Sequence, residues 1–294
     1  MSFVLSCCST SDLNKDYLLS RRINYICFNY FIDDHLYKDD FGTSVKYKDF
    51  YDLMRNGSKT KTSQVNPDEF VKYFSTFLES GLDILHISLS SGISGVFNSA
   101  NIAKSKLEKI FPDRKILIVD SLAASSGYGL LIDKAADMRD ENKNINEIYE
   151  WLEKNKLKVH HWFFTSDLSF FIKGGRIPKI SGWFGTVLKI CPLLDMNCEG
   201  KLIPRFKVRG KQKVIELTLK QMELNAKNHL DYAQKCFISH SDCYEDAKIL
   251  ADMVEKKFLK LDGRVKIFDI GTTIGSHTGP GTVALFFWGQ ERKK

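Results

Sequence analysis

Hydroxyl groups and glycines are concentrated in one segment that could bind an anion, HISLSSGISGVFNSA at residues 86–100. An apolar strand ending at Leu89 would deliver Ser91, Ser94 and Gly95 to the start of a helix, where backbone N–H groups lack partners. These groups and the helix dipole favour a carboxylate or a phosphate. A simple turn with Ser94 as a helix cap explains the same residues, so this segment alone leaves both interpretations open.

Nucleophilic catalysis is the second chemistry that the residue types allow. Ser94 or Ser91 could pair with His277, because all three lie in glycine-rich segments. The loop is not a nucleophile elbow, which needs a glycine two residues on each side of the serine. Neither a GxxxxGK[ST] loop nor a complete GxGxxG fingerprint occurs. A serine-dependent acyl hydrolase or transferase therefore stays open as the enzyme alternative.

A metal site is not expected. The tightest candidate cluster is CFISHSDC, with Cys236, His240 and Cys243, but the segment around Cys236 is predicted to be an outward-running strand on which these ligands would not converge. The seven cysteines contain no CxxC pair, which indicates reduced thiols in a cytoplasmic protein. The N-terminal sequence lacks the pattern of a signal peptide, and no segment predicts stable membrane insertion.

The positive charge of the chain is local. Its net charge of +7 comes from 43 basic and 36 acidic residues, and residues 154–179 and 189–213 are both strongly basic. A basic face could meet a phosphate, an acidic partner or a nucleic-acid backbone, or it could simply be solvated. Because no helix-turn-helix, zinc-finger or RNP pattern is present, we expect no nucleic-acid partner.

The strands and helices that must position these residues follow one pattern in the first half of the chain and another in the second half. In the first half, apolar strand candidates alternate with amphipathic helices, which predicts a parallel sheet covered by helices. Loops at the carboxyl ends of such strands collect ligands, and TSQ at 62–64, SSGISG at 90–95 and DSLAASSG at 120–127 are candidates for one shared crevice. The helix after Pro67 carries an apolar stripe typical of packing on a sheet.

The second half predicts a smaller α+β domain. A hairpin within residues 191–208 should turn at Glu199 and Gly200, and helices are predicted at 211–227 and 244–261. We therefore predict an α/β protein with an N-terminal three-layer α/β/α domain of residues 1–160, built on a parallel sheet. A C-terminal α+β domain with a mixed sheet would follow at residues 161–294.

Seven segments together resemble the DegV family, in order and almost from end to end. They are STSDL at 9–13, TSQ at 62–64, HISLSSGISGVFNSA at 86–100, DSLAASSGYGLL at 120–131, LSFFIKGGRIPK at 168–179, KVRGKQK at 207–213 and IGSHTGPGTVALFF at 274–287. The sequence departs from the family pattern before Ser9, where Cys7 and Cys8 stand in place of the usual aspartate. The resemblance implies a DegV-like fold and a lipid-binding carrier rather than an enzyme.

A long-chain fatty acid such as palmitate, stearate or oleate, held without a covalent bond between the two domains, is the ligand that the resemblance implies. No other cofactor is expected. The residues that match the family positions around the carboxylate are Thr62, Ser94, His277 and Arg176. The N–H of Gly95 at the helix start would add a donor, and Ser91 is included as a neighbour in the same carboxylate-binding site. Hydroxyl and N–H donors are what a buried carboxylate needs, because an unpaired buried anion is costly.

A kinase partner is also implied, since some family members carry the acyl group for a fatty-acid kinase subunit. The basic residues around Arg176 and Arg209 would contact that partner. The apolar tunnel for the tail would draw its wall from aromatic side chains, among which the candidates are Phe97, Phe163, Phe164, Phe170, Phe171, Trp183, Phe184, Phe286 and Phe287.

Overall fold

The computed structural model describes residues 3–177 and 190–294, which form three β-sheets and the helices around them. The strands are β1 (Phe3–Cys8), β2 (Asn24–Ile26), β3 (Asn29–Ile32), β4 (His35–Lys38), β5 (Thr60–Ser63), β6 (Asp83–Ser88), β7 (Ile116–Asp120), β8 (Val159–Phe164), β9 (Ile190–Met196), β10 (Leu202–Arg209), β11 (Phe237–His240), β12 (Lys266–Asp269) and β13 (Val283–Trp288). The helices are α1 (Lys15–Ser20), α2 (Tyr47–Arg55), α3 (Pro67–Leu78), α4 (Val96–Ile110), α5 (Ser126–Asp140), α6 (Ile145–Asn155), α7 (Ser169–Lys173), α8 (Lys211–Asn225), α9 (Tyr244–Lys257) and α10 (Thr272–Thr278).

The first sheet is parallel, as predicted, with the strand order β2–β1–β6–β7. Its central strands β1 and β6 are apolar runs with nearly all side chains buried, because helices cover the sheet. Helix α3 begins at Pro67 behind a capping box formed by Asn66 and Glu69, and it buries Phe70, Phe74 and Leu78. The predicted apolar stripe therefore faces the core.

The second sheet is mixed and has the strand order β10–β9–β8–β13–β11–β12. The predicted hairpin is confirmed: β9 and β10 are antiparallel, and Gly200 lies in the turn between them with a φ of 69°. The last strand, β13, lies inside this sheet between β8 and β11, antiparallel to both. The predicted α/β fold class, with one parallel and one mixed sheet, is thus confirmed.

Helix α5 connects the two sheets. It contacts β1 of the parallel sheet and β8, β11 and β13 of the mixed sheet, and most of its residues are buried. The proposed boundary between residues 160 and 161 falls inside β8, which is already part of the mixed sheet. The division into two domains stays a prediction.

A third, antiparallel sheet with the order β4–β3–β5 was not predicted. Its strands are short, and their polar residues resemble a loop in the sequence. Helices α2 and α10 pack against each other, and α10 also packs on β3 and β5, around a small core of their own that contains Tyr30, Ile32, Phe50, Tyr51 and Met54. This sheet joins a segment near residue 60 to the C-terminal helix α10.

The helices of residues 3–177 and 190–294 include none with the length and apolar character that a membrane span requires.

Candidate functional site

Thr62 and His277 form the centre of the candidate site. Thr62 lies on β5 opposite Tyr30 of β3, and His277 lies in the last turn of α10, which packs on both strands. A hydrogen bond of 2.7 Å joins Thr62 Oγ1 to His277 Nε2. The unpredicted third sheet therefore brings together two residues that the sequence predicted separately.

The imidazole of His277 is neutral at physiological pH. Burial, with a smaller contribution from the positive charge of Arg176, lowers the pKa of His277 to about 4. Its Nδ1 atom is buried and has no hydrogen-bond partner among the residues that the structure describes. The ring approaches Gly174 closely, because a Cβ built on this glycine would overlap Nδ1. The described residues thus leave this buried polar atom of the site unsatisfied.

Ser94 lies between β6 and α4 and is held by two polar contacts. Its hydroxyl accepts from the N–H of Val96 at 3.2 Å and donates to Gln64 Oε1 at 3.4 Å. Gln64 in turn donates from Nε2 to the hydroxyl of Ser99 at 3.0 Å. Ser94 therefore does take part in helix capping, and Gln64, which the prediction missed although it belongs to the TSQ segment, connects it to β5.

Arg176 places a cation beside these groups. Its Nε donates to the carbonyl of Ile93 at 3.3 Å, and one terminal nitrogen donates to the carbonyl of Gly174 at 2.5 Å. Burial lowers the pKa of Arg176, and no carboxylate in the described part of the chain offsets this effect. The guanidinium is thus a half-buried charge held by backbone carbonyls, and no carboxylate within residues 3–177 and 190–294 pairs with it.

All four of these side chains line one cavity with about 760 Å³ of empty space, part of it open to solvent. The residues around the rest of the cavity are mainly apolar, and most come from strands of the mixed sheet, from α7 and α10 and from the loops after β6 and β7. They are Phe28, Leu89, Ile93, Ala124, Ser125, His161, Phe163, Phe171, Met196, Leu202, Ile270, Thr273, Ile274, Thr278, Thr282, Ala284 and Phe286. The cavity thus combines a polar, cationic end with an apolar interior, and the TSQ, SSGISG and DSLAASSG loops all contribute to it.

Three predicted residues lie outside this lining. Ser91 is exposed, and its N–H donates to Asp120 Oδ1 at 3.1 Å. Gly95 is exposed at the N-cap position of α4, and Arg209 is exposed at the end of β10. The structure therefore groups Thr62, Ser94, Arg176 and His277, but it does not bring Ser91, Gly95 or Arg209 into the same cavity.

The serine–histidine pair of the enzyme alternative is not formed. His277 hydrogen-bonds Thr62, while Ser94 contacts Gln64 and Val96. A general base must reach the hydroxyl proton that it removes, and here the histidine is engaged by a threonine.

The aromatic candidates for the tunnel wall divide into three groups. Phe163, Phe171 and Phe286 line the cavity. The other described candidates pack elsewhere; Phe287, for example, stacks on His160 with ring centroids 5.2 Å apart. Trp183 and Phe184 lie outside the described residues.

The candidate metal cluster is taken up by other contacts. His240 Nδ1 accepts from the N–H of Cys243 at 3.4 Å, and His240 Nε2 lies 3.5 Å from Asp269. Cys236 is buried at the other end of β11. Within the ranges 3–177 and 190–294, no three His, Cys, Asp or Glu residues are grouped as metal ligands.

Known proteins resemble this chain over its whole length. The model of a family described as "Uncharacterised protein, DegV family" matches residues 8–290. A DegV domain-containing protein of Clostridium perfringens is 39% identical over 291 residues, which cover 99% of both chains.

Solved structures resemble it as well. One of a DegV family protein from Thermus thermophilus, described by its fatty acid binding, matches 99% of this chain and 100% of that chain with a TM-score of 0.87 and 25% identity. The Fatty Acid Kinase (Fak) B3 protein of Streptococcus pneumoniae, loaded with linoleic acid, is similar in fold, with a TM-score of 0.85 and 19% identity over 99% and 100% of the two chains. On the family model and the Clostridium relative, this chain belongs to the DegV family.

Proposed function

We propose that this protein binds a long-chain fatty acid without a covalent bond, with the carboxylate at Thr62, Ser94, Arg176 and His277 and the tail in the apolar cavity. The observation that carries this proposal is the guanidinium of Arg176 at the polar end of that cavity, which pairs with no carboxylate of the described residues. A half-buried cation without a counterion favours an anionic ligand. A carboxylate supplies that charge, and it also supplies acceptors for the hydroxyls of Thr62 and Ser94.

The tautomer of the neutral His277 imidazole sets the direction of its hydrogen bond in the complex. If Nε2 carries the proton, it donates to Thr62 Oγ1, and the threonine hydroxyl is then free to donate to the carboxylate. In this arrangement the hydroxyl of Thr62 is the donor that the Thr62–His277 pair offers to the carboxylate. The Nδ1 lone pair is the group that remains without a partner among the described residues.

The apolar part of the cavity favours a long acyl tail. Each buried CH₂ group contributes about 0.8 kcal/mol, so the tail supplies most of the affinity and the polar end determines its orientation. The mainly apolar lining of the cavity suits such a tail, as in most small-molecule sites. Palmitate, stearate and oleate are the ligands that we propose first.

We further propose that the protein presents the carboxylate to a fatty-acid kinase subunit rather than acting on it as an enzyme. Arg209 is exposed at the end of β10, where it is accessible to a partner. Exposed arginines suit contacts to an acidic protein surface and to a phosphorylated head group. The free state of all seven cysteines supports a cytoplasmic location.

Native mass spectrometry of the purified protein tests the proposal. We expect a mass increase that disappears after solvent extraction, with a fatty acid in the extract, and delipidated protein should bind oleate again. An acyl group that survives extraction on a serine would instead support the hydrolase or transferase. Delipidated protein that binds none of the three fatty acids would contradict the proposal.

A further inference from the structure

Two buried carboxyl groups, those of Asp12 and Asp39, converge on the start of α10. Asp12 follows β1 and Asp39 follows β4, and their exposed fractions are only 4% and 2%. A Cβ built on Gly271 would lie 3.0 Å from Asp12 Oδ1 and 3.2 Å from Asp39 Oδ1. Residue 271 must therefore be small, since the two acids occupy the space beside it.

The acid pair accepts hydrogen bonds from three separate segments. Asp12 accepts from the N–H of Gly271 at 2.9 Å and from the hydroxyl of Ser125. Asp39 accepts from the hydroxyl of Thr272 at 2.9 Å and from the hydroxyl of Ser9 at 3.0 Å. The pair thus joins the ends of β1 and β4 to the loop after β7 and to the first residue of α10.

No cation of the described residues offsets these two acids. Burial raises the pKa of both, and the charge of Asp39 raises the pKa of Asp12 further. The titratable groups packed near them are the phenols of Tyr30, Tyr47 and Tyr51 and the carboxyl of Asp269. Burial raises the pKa of all three phenols, so they stay neutral and add no positive charge.

Both segments that the pair holds belong to the wall of the candidate cavity. Ser125 lines the cavity with φ 54° and ψ −151°, a conformation that non-glycine residues adopt only when their surroundings hold them there. Helix α10 has only seven residues, so Thr272 and His277 are separated by about 7.5 Å along its axis. Contacts at its first residue therefore fix the position of the histidine near its end.

We propose that the Asp12–Asp39 pair positions His277 for the carboxylate by fixing the N-terminus of α10. This inference rests on the proposed fatty-acid site. The pair does not touch the ligand, and it acts through the helix. Replacing Asp39 with alanine removes the hydrogen bonds that it accepts from Ser9 and from the start of α10, so α10 moves and water reaches His277.

Asp39→Ala, Asp39→Asn and Asp133→Asn provide the test. Asp133 is an equally buried aspartate, but it pairs with Arg21 and Lys235 rather than with α10. The readouts are the affinity for oleate, the affinity for methyl oleate and the pKa of His277 in ligand-free protein, measured by NMR. Methyl oleate shares the tail but lacks the charge, so the ratio of the two affinities reports on the head-group end.

We expect Asp39→Ala to weaken oleate binding at least tenfold, with methyl oleate changed less than twofold, and to raise the pKa of His277 from about 4 towards its ordinary value. Asp39→Asn should restore wild-type behaviour, because its amide can still bond both hydroxyls. Asp133→Asn should lower the free energy of unfolding without changing the affinity ratio.

If Asp39→Ala does not fold, Thr272→Val removes one hydrogen bond and should shift the same readouts in the same direction. An unchanged affinity ratio and an unchanged pKa of His277 in the folded variant would overturn the proposal. If wild-type protein binds no fatty acid, the proposed function fails, but the pKa of His277 still decides whether the acid pair positions this residue.

Discussion

Thr62 and His277 lie 215 residues apart in the chain, yet a 2.7 Å hydrogen bond joins them. The bond crosses from the third sheet to α10, which packs on β3 and β5. It also brings the neutral imidazole next to a hydroxyl that lines the cavity. The head-group end is therefore a tertiary arrangement, which neither the TSQ nor the SHTGPG segment contains by itself.

Thr62→Val should weaken fatty-acid binding by about 1.5–3 kcal/mol, the value of a hydrogen bond to a charged group. The substitution keeps the shape of the side chain and its strand preference, so the fold should persist. Isothermal titration measures the affinities for oleate and for methyl oleate, and only the affinity for oleate should fall.

Thr60→Val is the matched control, because Thr60 lies on the same strand and its hydroxyl donates to the carbonyl of Ser276 at 3.4 Å rather than to a residue of the cavity lining. Equal losses for the two variants would show that the effect comes from the strand and not from the head group.

Much of the fold could be predicted because its periodicities are local. The apolar runs of β1 and β6, the stripe of α3 and the Glu199–Gly200 turn all depend on neighbouring residues. The third sheet could not, because the residues of β5 read TKTS and are stabilised by packing under α10, more than 200 residues later.

The same holds for the candidate site: its residue types could be predicted from the sequence, but the contacts between distant segments could not. The residue types at Thr62, Ser94, Arg176 and His277 indicated donors for an anion, and the structure groups them around one cavity. Ser91 and Gly95 were predicted with Ser94 because they are adjacent in the chain. The turn between Ser90 and Gly95 directs these neighbours to solvent, and sequence proximity alone could not show this.

Gln64→Leu should reduce the affinity for oleate several-fold. The leucine keeps the size of the side chain but removes the contacts of Gln64 to the hydroxyls of Ser94 and Ser99, so Ser94 loses its link to β5. Ser99→Ala removes only the second contact and should have a smaller effect in the same direction. Fluorescence titration can rank the variants, and a larger effect of Ser99→Ala would contradict this order.

Acidification should strengthen the binding of a permanently ionised ligand. The pKa of His277 is about 4 in the free protein, and a carboxylate or sulfonate beside it favours the imidazolium and raises this pKa. The complex therefore binds more protons than the free protein, and affinity rises as the pH falls from about 6.5 towards 4. A long-chain alkyl sulfonate isolates this effect, because it stays ionised throughout.

His277→Gln should abolish the pH dependence of sulfonate binding.

Acid has the opposite effect on the stability of the ligand-free protein. The pKa of the buried His277 is below its value in the unfolded chain, so the contribution of this residue to the free energy of unfolding is complete above about pH 6.5 and decreases as the pH falls towards 4. The loss from this residue is up to about 3 kcal/mol. Urea unfolding of both proteins at several pH values measures it, and identical profiles would contradict the prediction.

Gly200→Ala should destabilise the contact between the β9–β10 turn and the loop after β6. Gly200 has a φ of +69°, and a Cβ there would overlap Ser90 Oγ and lie 3.1 Å from Leu122 Cα. Gly263→Ala is the matched control, because Gly263 has a φ of +77° but no atom within 4 Å of its Cβ position. The two variants share the backbone strain, and only Gly200→Ala adds the overlap.

We expect Gly200→Ala to cost about 2 kcal/mol more than Gly263→Ala in free energy of unfolding. Oleate affinity should also fall, because Met196 and Leu202, on either side of the turn, line the cavity. Thermal unfolding and oleate titration measure the two effects, and equal stabilities would show that the loop moves aside without cost.

Arg209→Glu should impair phosphorylation of the bound fatty acid by a kinase subunit while leaving oleate affinity unchanged. Arg209 is exposed at the end of the edge strand β10 and lies outside the cavity lining, so we expect its charge to act on a partner and not on the fatty acid.

Arg264→Glu is the control, since Arg264 is also exposed but precedes β12, at the opposite edge of the same sheet. If Arg209 contacts the kinase subunit, reversing its charge should lower the rate at which the two proteins associate and make that rate less sensitive to salt. A reconstituted kinase assay at two salt concentrations measures this. A loss of oleate affinity in Arg209→Glu, or an equal loss of phosphorylation in Arg264→Glu, would remove Arg209 from the proposed partner contact.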